Sequence, residues 1–234
     1  MVEKLIEKYK PYLILSLGEK YTPTSIEKYI SMCDFYQNNK KIDLNFKDIT
    51  DSSELDHGKN IKMFIKDEFK DIYKNNVSYF PPVYAYSNKK GNKLQIYYFF
   101  FYNYNGAKDV LGFYPIGEHK ADLEWICLEL EDKKPKYAFL SRHGYNKRYY
   151  YEDLQIIDNR MVIYSAINSH AHYPDIGNYT RFFGFGNDNC SQGKFINPIL
   201  RYLKDNSYIL KYKGKMDDKG KVDYIGRFKG KWIN

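Results

Sequence analysis

The sequence of 234 residues contains little cysteine and no long apolar run. Its three cysteines, Cys33, Cys127 and Cys190, are widely separated and odd in number, which argues against a disulfide framework and against a zinc knuckle. We interpret them as reduced thiols and expect an intracellular, cytoplasmic location or a place in a virion. No window approaches the ~18 consecutive apolar residues of a membrane span. The N-terminus lacks the small-residue cleavage site of a secretory signal.

Common catalytic and cofactor motifs are missing as well. The nucleophile elbow Gly-x-Ser-x-Gly is absent, which argues against a Ser-His-Asp hydrolase of that class. The sequence has neither a Walker loop nor a dinucleotide fingerprint. The aromatic run 97–104 lacks an accompanying RNP-like basic and glycine motif. We therefore interpret this run as sheet core and do not expect nucleic acid as a partner.

Tyrosine is the residue in excess. The chain has 26 Tyr, 15 Phe and 2 Trp, and such large rings favour half-buried sheet surfaces. Several predicted strands follow one another along the chain with no helix between them. This order predicts an all-β fold, mainly an antiparallel β-sandwich, with short peripheral α-helices that are mostly N-terminal. The predicted strands cover 12–17, 83–86, 94–104, 124–130, 136–141, 149–151, 161–167, 208–212 and 224–228.

The ends of the predicted elements carry recognisable signals. Pro11 ends a first helix, and the capping-box spacing of Thr24 and Glu27 predicts a second helix from about Ser25. The stretch 37–79 is rich in Asn, Lys and Asp, so we expect a polar surface insertion with little regular structure. We predict a single domain over 1–234.

Positive charge is concentrated at the C-terminal end. The formal net charge is +8, and residues 204–234 contain nine Lys or Arg against four Asp, a local balance of +5. Such an end attracts an anionic lipid head group or an acidic protein surface. A solvated lysine-rich edge that blocks aggregation is the simpler interpretation. The oligomeric state does not follow from these features.

Carboxylates and a histidine are concentrated in the segment 117–125. On a strand, Asp122 and Glu124 share a face that continues into apolar residues, and His119 lies three residues upstream. Two buried carboxylates repel each other unless one is protonated or a cation lies between them. The set of His119, Asp122 and Glu124 suits Mg²⁺, Ca²⁺ or Mn²⁺, and its imidazole also admits Zn²⁺. The alternative is that both carboxylates pair with some of the basic residues.

Further histidines follow predicted strands. His143 lies after the strand 136–141, and His170 and His172 follow the strand 161–167 together with Ser169 and Tyr173. Loops at strand ends could bring these residues to one end of a sandwich, where binding sites are common. Alternatively, His170 and His172 only hydrogen-bond the loop backbone.

Several ordered segments resemble the vacuolar protein sorting-associated protein 62 family. They are 12–27 (YLILSLGEKYTPTSIE), 82–85 (PVYA), 98–106 (YFFFYNYNG), 117–124 (GEHKADLE), 165–174 (SAINSHAHYP) and 226–232 (GRFKGKW). The fourth is similar to the family's G-x-H-x-G-D-W-E box and the fifth to its A-x-G-S-H-A-x-Y-P box. The sequence departs from the pattern at Ala121 and Asn168, which replace glycines, at Leu123, which replaces tryptophan, and at Asn103, which replaces proline. The resemblance implies an association with trafficking and supplies no established catalytic activity to transfer to this sequence.

The same box is more remotely similar to the G-H-R-H-D-W-E heptapeptide of the necrosis-inducing Nep-like cytolysins, and the segment 140–144 resembles one that follows it there. In those proteins the matching positions bind a divalent cation that engages sphingolipid head groups. This resemblance implies a metal role for His119, Asp122 and Glu124, with a fourth oxygen from Asn105 or Asp109.

Three functions are consistent with the sequence. The first is a non-enzymatic binding module that uses a divalent cation to engage a phosphate, glycan or lipid head group. A metal-dependent hydrolase, with His143 or His170 as acid or base, is the second. The third is a structural or interaction protein, such as a viral particle component. We favour the first and expect no enzymatic activity.

Overall fold

A computed structural model describes residues 1–43, 61–75, 80–110, 114–143, 145–181 and 186–203 of the chain. The helices of this part are α1 (Val2–Lys8) and α2 (Ile26–Ser31), with short 3₁₀ turns at Asp67–Phe69, Tyr73–Asn75 and Tyr151–Asp153. The first nine strands are β1 (Tyr12–Leu15), β2 (Cys33–Gln37), β3 (Lys40–Ile42), β4 (Ile61–Ile65), β5 (Pro82–Lys90), β6 (Lys93–Asn105), β7 (Lys108–Val110), β8 (Tyr114–Ile116) and β9 (His119–Glu131). The others are β10 (Lys134–Arg142), β11 (Tyr145–Tyr150), β12 (Ile156–Ile157), β13 (Arg160–Ser165), β14 (His172–Tyr173), β15 (Gly177–Tyr179), β16 (Asp188–Cys190), β17 (Phe195–Ile196) and β18 (Ile199–Tyr202).

The predicted fold class is confirmed, since the described chain is mostly strand with two short helices near the N-terminus. Helix α1 ends before Pro11, as predicted. Helix α2 begins at Ile26, and the hydroxyl oxygen of Ser25 accepts a hydrogen bond from the backbone N–H of Lys28. Ser25 therefore caps this helix in place of the predicted Thr24, because its side chain is the one that reaches an unpaired N–H of the first turn.

Two large sheets form the sandwich. One has the strand order β11-β10-β9-β6-β5-β18, and the other has the order β12-β13-β1-β17 with β14 also paired to β13. Most neighbours are antiparallel, but β1 pairs with β13 and β5 pairs with β18 in parallel. Parallel pairs need long crossover connections, so segments that are distant in sequence meet here.

Strand β6 lies at the centre of the molecule and is buried on both faces. Its residues Tyr98 and Phe100 pack against β1 and β13 in the core between the two sheets. Its residues Tyr97 and Phe99 pack against α2, β2 and β4 on the opposite face. Burial on both faces explains why residues 97–102 of this strand form a continuous aromatic run without polar alternation.

The expectation of little regular structure over 37–79 is wrong for the part of it that the structure describes. Strands β2, β3 and β4 form a small antiparallel sheet, and β4 alternates buried and half-buried residues. Ile61, Met63 and Ile65 belong to the core, whereas Lys62 and Phe64 face outward. The alternation Ile-Lys-Met-Phe-Ile is the period-two pattern of a strand that is buried on one face. The polar residues on both sides of it in the sequence made this short pattern hard to recognise.

Two sequence predictions lie outside the described residues. They are the strand pair over 208–212 and 224–228 and the basic end 204–234. No helix in the described ranges has the length and apolarity needed to cross a membrane.

Candidate functional site

The acid–histidine segment forms the start of β9. The alternation of side chains between the two faces of the sheet is interrupted there. Asp122 lies opposite Tyr102 of β6, and Lys120 lies opposite Tyr104. Tyr102 belongs to the core between the large sheets, whereas Tyr104 belongs to the core beside α2. Between them, Ala121 has a φ of 53°. This left-handed conformation favours glycine, which explains the glycine of the family box at this position.

Asp122 is buried and pairs with a histidine from a distant loop. Its Oδ2 atom lies 2.9 Å from Nδ1 of His170, whose ring is fully buried and stacks on Tyr102 with 3.7 Å between ring centroids. The other ring nitrogen of His170, Nε2, lies 3.8 Å from Oε2 of Glu19. The imidazole thus lies between two carboxylates, one from β9 and one from the turn after β1.

This arrangement favours a charged imidazole. Burial acts to lower the pKa of His170, but the hydrogen bonds and charges of Asp122 and Glu19 outweigh it and raise the pKa to about 9. Burial also acts to raise the pKa of each carboxyl, and the contact with His170 outweighs it, so both pKa values fall below their usual range. We infer a buried imidazolium held between two carboxylates at neutral pH.

Glu124 lies two residues further along the same face and is buried as well. The Ser141 hydroxyl donates a hydrogen bond to its Oε2 atom and accepts one of 2.9 Å from the backbone N–H of Trp125. Burial and the neighbouring charge of Asp122 raise the pKa of Glu124 to about 8. The Glu124 carboxyl is therefore mainly protonated at pH 7, which is how two adjacent carboxyl groups remain buried.

His119 and Asn105 lie opposite each other at the edge of the β6–β9 pair. Nδ1 of His119 is 3.1 Å from the carbonyl oxygen of Ala121, and the Asn105 amide donates to the carbonyl of Gly117 at 2.8 Å. Across the described ranges, no set of three or more His, Cys, Asp or Glu side chains has an arrangement that could hold a metal ion. Asp109 lies in β7.

A second buried carboxylate, Asp188, collects the other predicted loop residues. His143 Nε2 lies 2.5 Å from one of its oxygens, to which the Tyr173 hydroxyl donates at 2.6 Å. Ser169 Oγ donates to the other oxygen at 2.7 Å, and Lys108 Nζ contacts that oxygen as well. Four donors compensate the cost of burying one carboxylate, so this cluster ties strands β7, β14 and β16 to neighbouring loops.

His172 is separate from both carboxylate clusters. Its Nδ1 atom lies 3.4 Å from the carbonyl oxygen of Trp125, and its own carbonyl accepts a hydrogen bond of 3.1 Å from Nε of Arg142. Burial lowers the pKa of His172 to about 4 and keeps the ring neutral. This residue joins β14 to β9 and β10.

Sequence reasoning missed Glu19, Ser141, Lys108 and Asp188 as members of these clusters. Glu19 lies inside the first segment that resembles the family, so a signal for it existed. Asp188 had no such signal. It lies after the predicted strand 161–167, and its hydrogen-bond partners come from distant segments. Only the folded chain brings these groups together.

Comparison with known proteins agrees with the resemblance of the segments. The family model "Vacuolar protein sorting-associated protein 62" matches residues 1–197. Vacuolar protein sorting-associated protein 62 of Saccharomyces cerevisiae is 28% identical over 132 residues, which are 48% of this chain and 28% of the yeast protein. Putative vacuolar protein sorting-associated protein TDA6 of the same yeast is 27% identical over 136 residues, 48% of this chain and 29% of that protein. The matches therefore span less than a third of the length of these curated relatives.

A solved structure shares the fold. The non-toxic HaNLP3 protein has a TM-score of 0.52 with this chain at 12% identity, over 99% of this chain and 91% of that protein. At this identity the likeness concerns the fold alone. The family model covers most of the sequence, including the two boxes that contain Asp122 and His170. The chain belongs to the vacuolar protein sorting-associated protein 62 family.

Proposed function

We propose that the protein is a non-enzymatic binding module that engages an anionic head group through a divalent cation held at the start of β9. The observation that carries this proposal is the pair of neighbouring buried carboxyl groups, Asp122 and Glu124, of which Glu124 is kept protonated by its burial and by the charge of Asp122. A cation such as Mg²⁺, Ca²⁺ or Mn²⁺ would replace that proton and relieve the repulsion.

The remaining ligands would come from the edge of the same strand pair. His119 and Asn105 are opposite each other, three strand positions before Asp122 and its partner, and they offer an imidazole nitrogen and an amide oxygen. Nδ1 of His119 contacts the carbonyl of Ala121 at 3.1 Å, so Nε2 is the nitrogen that would coordinate the cation.

The anionic partner follows from charge and family. A bound cation with open coordination positions attracts a phosphate or an acidic glycan, and the net charge of +8 adds long-range attraction to any anionic surface. The names of the yeast relatives associate the family with vacuolar sorting. A lipid or glycan head group on a membrane is the partner that combines these features.

A structural role for the same cluster is the second candidate. The specific observation in its favour is that His170 already compensates Asp122, and that Glu19 lies at its other side. In that case the cluster only fastens the loop after β13 to β9, and the protein acts as an interaction partner without a cation.

Metal analysis separates the two candidates. Protein purified without chelator is dialysed against Mn²⁺, Ca²⁺ or Mg²⁺, and bound metal is measured beside calorimetric titration. We expect one ion per chain in the wild type and none in Asp122→Asn. Glu129→Gln is the matched control, since Glu129 is another buried carboxylate of β9 and pairs with Gln95 at 2.9 Å. Absence of stoichiometric metal from the folded wild type would reject the cation.

Two further measurements test the mechanism. Cation binding at pH 7 should release close to one proton, because Glu124 is mainly protonated beforehand; titrations in buffers of different ionisation enthalpy measure it. Sedimentation with phosphatidylserine vesicles, whose head group has no phosphorylated sugar ring, should be abolished by EDTA and weakened by salt. Vesicle binding that EDTA does not change would contradict the cation bridge and leave charge attraction alone.

A further inference from the structure

A separate cavity lies on the other side of the six-stranded sheet. It has a volume of about 480 Å³ and is bounded by strands β2 and β4, the 3₁₀ turn Asp67–Phe69 and Lys120 of β9. Asp122 and Glu124 face the core between the two large sheets, whereas this cavity lies beside the core of α2, β2 and β4. The cavity is therefore distinct from the proposed cation site, although adjacent positions of β9 contribute to both.

The interrupted alternation at Ala121 places Lys120 at this cavity. Lys120 pairs across the sheet with Tyr104, whose ring lies in the core beside α2. Regular alternation would place Lys120 on the face of Asp122. The left-handed φ of Ala121 interrupts the alternation, so Lys120 faces the cavity while Asp122 faces His170.

Positive charge exceeds negative charge around the cavity. Its wall contains two carboxylates, and each has a lysine partner: Asp34 Oδ2 lies 2.9 Å from Lys41 Nζ, and Asp67 Oδ1 lies 2.5 Å from Lys70 Nζ. The wall contains three lysines, Lys66, Lys70 and Lys120, and Lys66 Nζ also donates to the Ser31 carbonyl at 3.2 Å. Three ammonium groups against two carboxylates give the wall a local balance of +1, which favours an anionic ligand.

Two aromatic rings and an amide group also line the cavity. Tyr36 and Phe64 are half-buried on the outer faces of β2 and β4, with ring centroids 5.1 Å apart at 81°. Ring faces of this kind pack on the C–H surface of a sugar ring. Asn39 and Asp34 offer oxygen acceptors for its hydroxyl groups. A volume of 480 Å³ accommodates one such ring with a charged substituent.

We propose that this cavity binds a phosphorylated sugar ring, with the ring against Tyr36 and Phe64 and the phosphate at Lys66 and Lys120. Lysine binds phosphate as a point charge, without a cation. The site therefore functions independently of the proposed cation site. The same chemistry occurs in a free sugar phosphate and in the head group of a phosphorylated glycolipid.

Calorimetric titration with glucose 6-phosphate, in buffer containing EDTA, tests the site directly. We expect saturable binding of one molecule per chain. Lys66→Met should weaken it by about tenfold, as for the loss of one hydrogen bond to a charged group. Lys90→Met, which removes the same charge at the far end of β5, should leave the affinity unchanged. Circular dichroism verifies that both variants fold.

Two competing ligands and one further variant decide the chemistry of the ligand. Inorganic phosphate and glucose should each bind at least tenfold more weakly than glucose 6-phosphate. Phe64→Ala should weaken glucose 6-phosphate but leave phosphate alone unchanged. Phosphate that binds as well as the sugar phosphate would overturn the ring contact, and glucose that binds as well would overturn the anion contact. No binding of glucose 6-phosphate or of inositol 1-phosphate would overturn the proposal.

Vesicles distinguish the two sources of the ligand. If a lipid head group is the natural form, vesicles with phosphatidylinositol 4-phosphate bind in EDTA, and Lys66→Met weakens that binding. If the free form is natural, only the soluble sugar phosphate binds. In both cases binding should persist in EDTA, which removes the proposed cation, so failure of this site and failure of the cation site give different results.

Discussion

Nδ1 of His170 lies 2.9 Å from Oδ2 of Asp122, although the two residues are 48 positions apart in the sequence. Both are buried, and the imidazole stacks flat on Tyr102 of the neighbouring strand. This contact joins the loop after β13, in one large sheet, to β9 in the other. The two most recognisable boxes of the family therefore meet at one ion pair between the layers of the sandwich.

The first prediction concerns the loss of that ion pair. Asp122→Asn leaves the buried imidazolium with Glu19 alone, at 3.8 Å. Breaking a buried pair by removing one partner typically costs ~3–5 kcal/mol, so we expect the free energy of unfolding to fall by about this amount. Urea denaturation measures it. The pKa of His170, followed by NMR, should fall in the same variant.

The control for this prediction is Asp122→Asn combined with His170→Gln. Removing both charges should restore part of the lost stability, because the imidazolium is no longer buried without Asp122, and Glu19 keeps its hydrogen bonds from the backbone N–H groups of Tyr21 and Asn168. If the double variant is as unstable as the sum of the two single variants, the two residues are not coupled and the pair does not contribute as described.

The second prediction concerns stability above pH 6.5. The pKa of His170 is raised from 6.5 to about 9, and that of Glu124 is raised from 4.5 to about 8. The folded state therefore binds more protons than the unfolded state at these two sites. The contribution of His170 is complete below pH 6.5 and is lost as the pH rises to about 9. That of Glu124 is complete below pH 4.5 and is lost as the pH rises to about 8.

Both losses overlap between pH 7 and 8, where protonation of His172 in the unfolded state no longer opposes them. Each group should lower the free energy of unfolding by about 1.4 kcal/mol per pH unit in this window. Denaturation series at several pH values measure the slope, and Glu124→Gln should reduce it to about half. A slope that is the same in wild type and Glu124→Gln would mean that Glu124 does not retain its proton.

The third prediction concerns Gly193, which lies against the end of β1. A Cβ atom at this position would lie 2.7 Å from the backbone nitrogen of Leu17 and 2.7 Å from the carbonyl carbon of Ser16. Backbone cannot move aside as a flexible side chain can, so Gly193→Ala should lower the melting temperature by several degrees. Lys194→Ala is the control, since that side chain is exposed. Equal melting temperatures for the two variants would contradict this close approach.

The fourth prediction concerns the buried guanidinium of Arg142. Its Nε donates to the carbonyl of His172 at 3.1 Å, its other end contacts the Tyr149 hydroxyl, and it lies 4.1 Å from the ring centroid of Tyr173. Lysine can satisfy only part of this planar arrangement. We expect Arg142→Lys to cost about 1–3 kcal/mol of stability.

Arg148→Lys on the exposed strand β11 is the matched control, since Arg148 also lies over a tyrosine ring, that of Tyr137 at 4.8 Å. Its exposure makes the expected change less than about 0.5 kcal/mol. Chemical denaturation compares both. Two equal losses would show that burial of the guanidinium is not the cause.

Much of the fold was accessible from the sequence because local chemistry specifies it. Pro11 ended the first helix, and the strand predicted over 94–104 is the central strand β6. The short strand β4 was missed because five residues of correct alternation stand among polar neighbours. The parallel pairs of β1 with β13 and of β5 with β18 were not predicted, since pairing partners so distant in sequence leave no local pattern.

The amino-acid sequence by itself determined the mainly β architecture, the family and the two carboxyl groups on one face of β9. Those follow from period-two patterns and from motifs that are contiguous in the chain. Only the tertiary structure decided that His170 and Glu19 enclose Asp122's charge, that Glu124 keeps its proton, and that Lys120 faces a different cavity. The charge states of these groups and the face on which each side chain lies depend on burial and on residues that are distant in sequence. Both are in place only once the layers have packed.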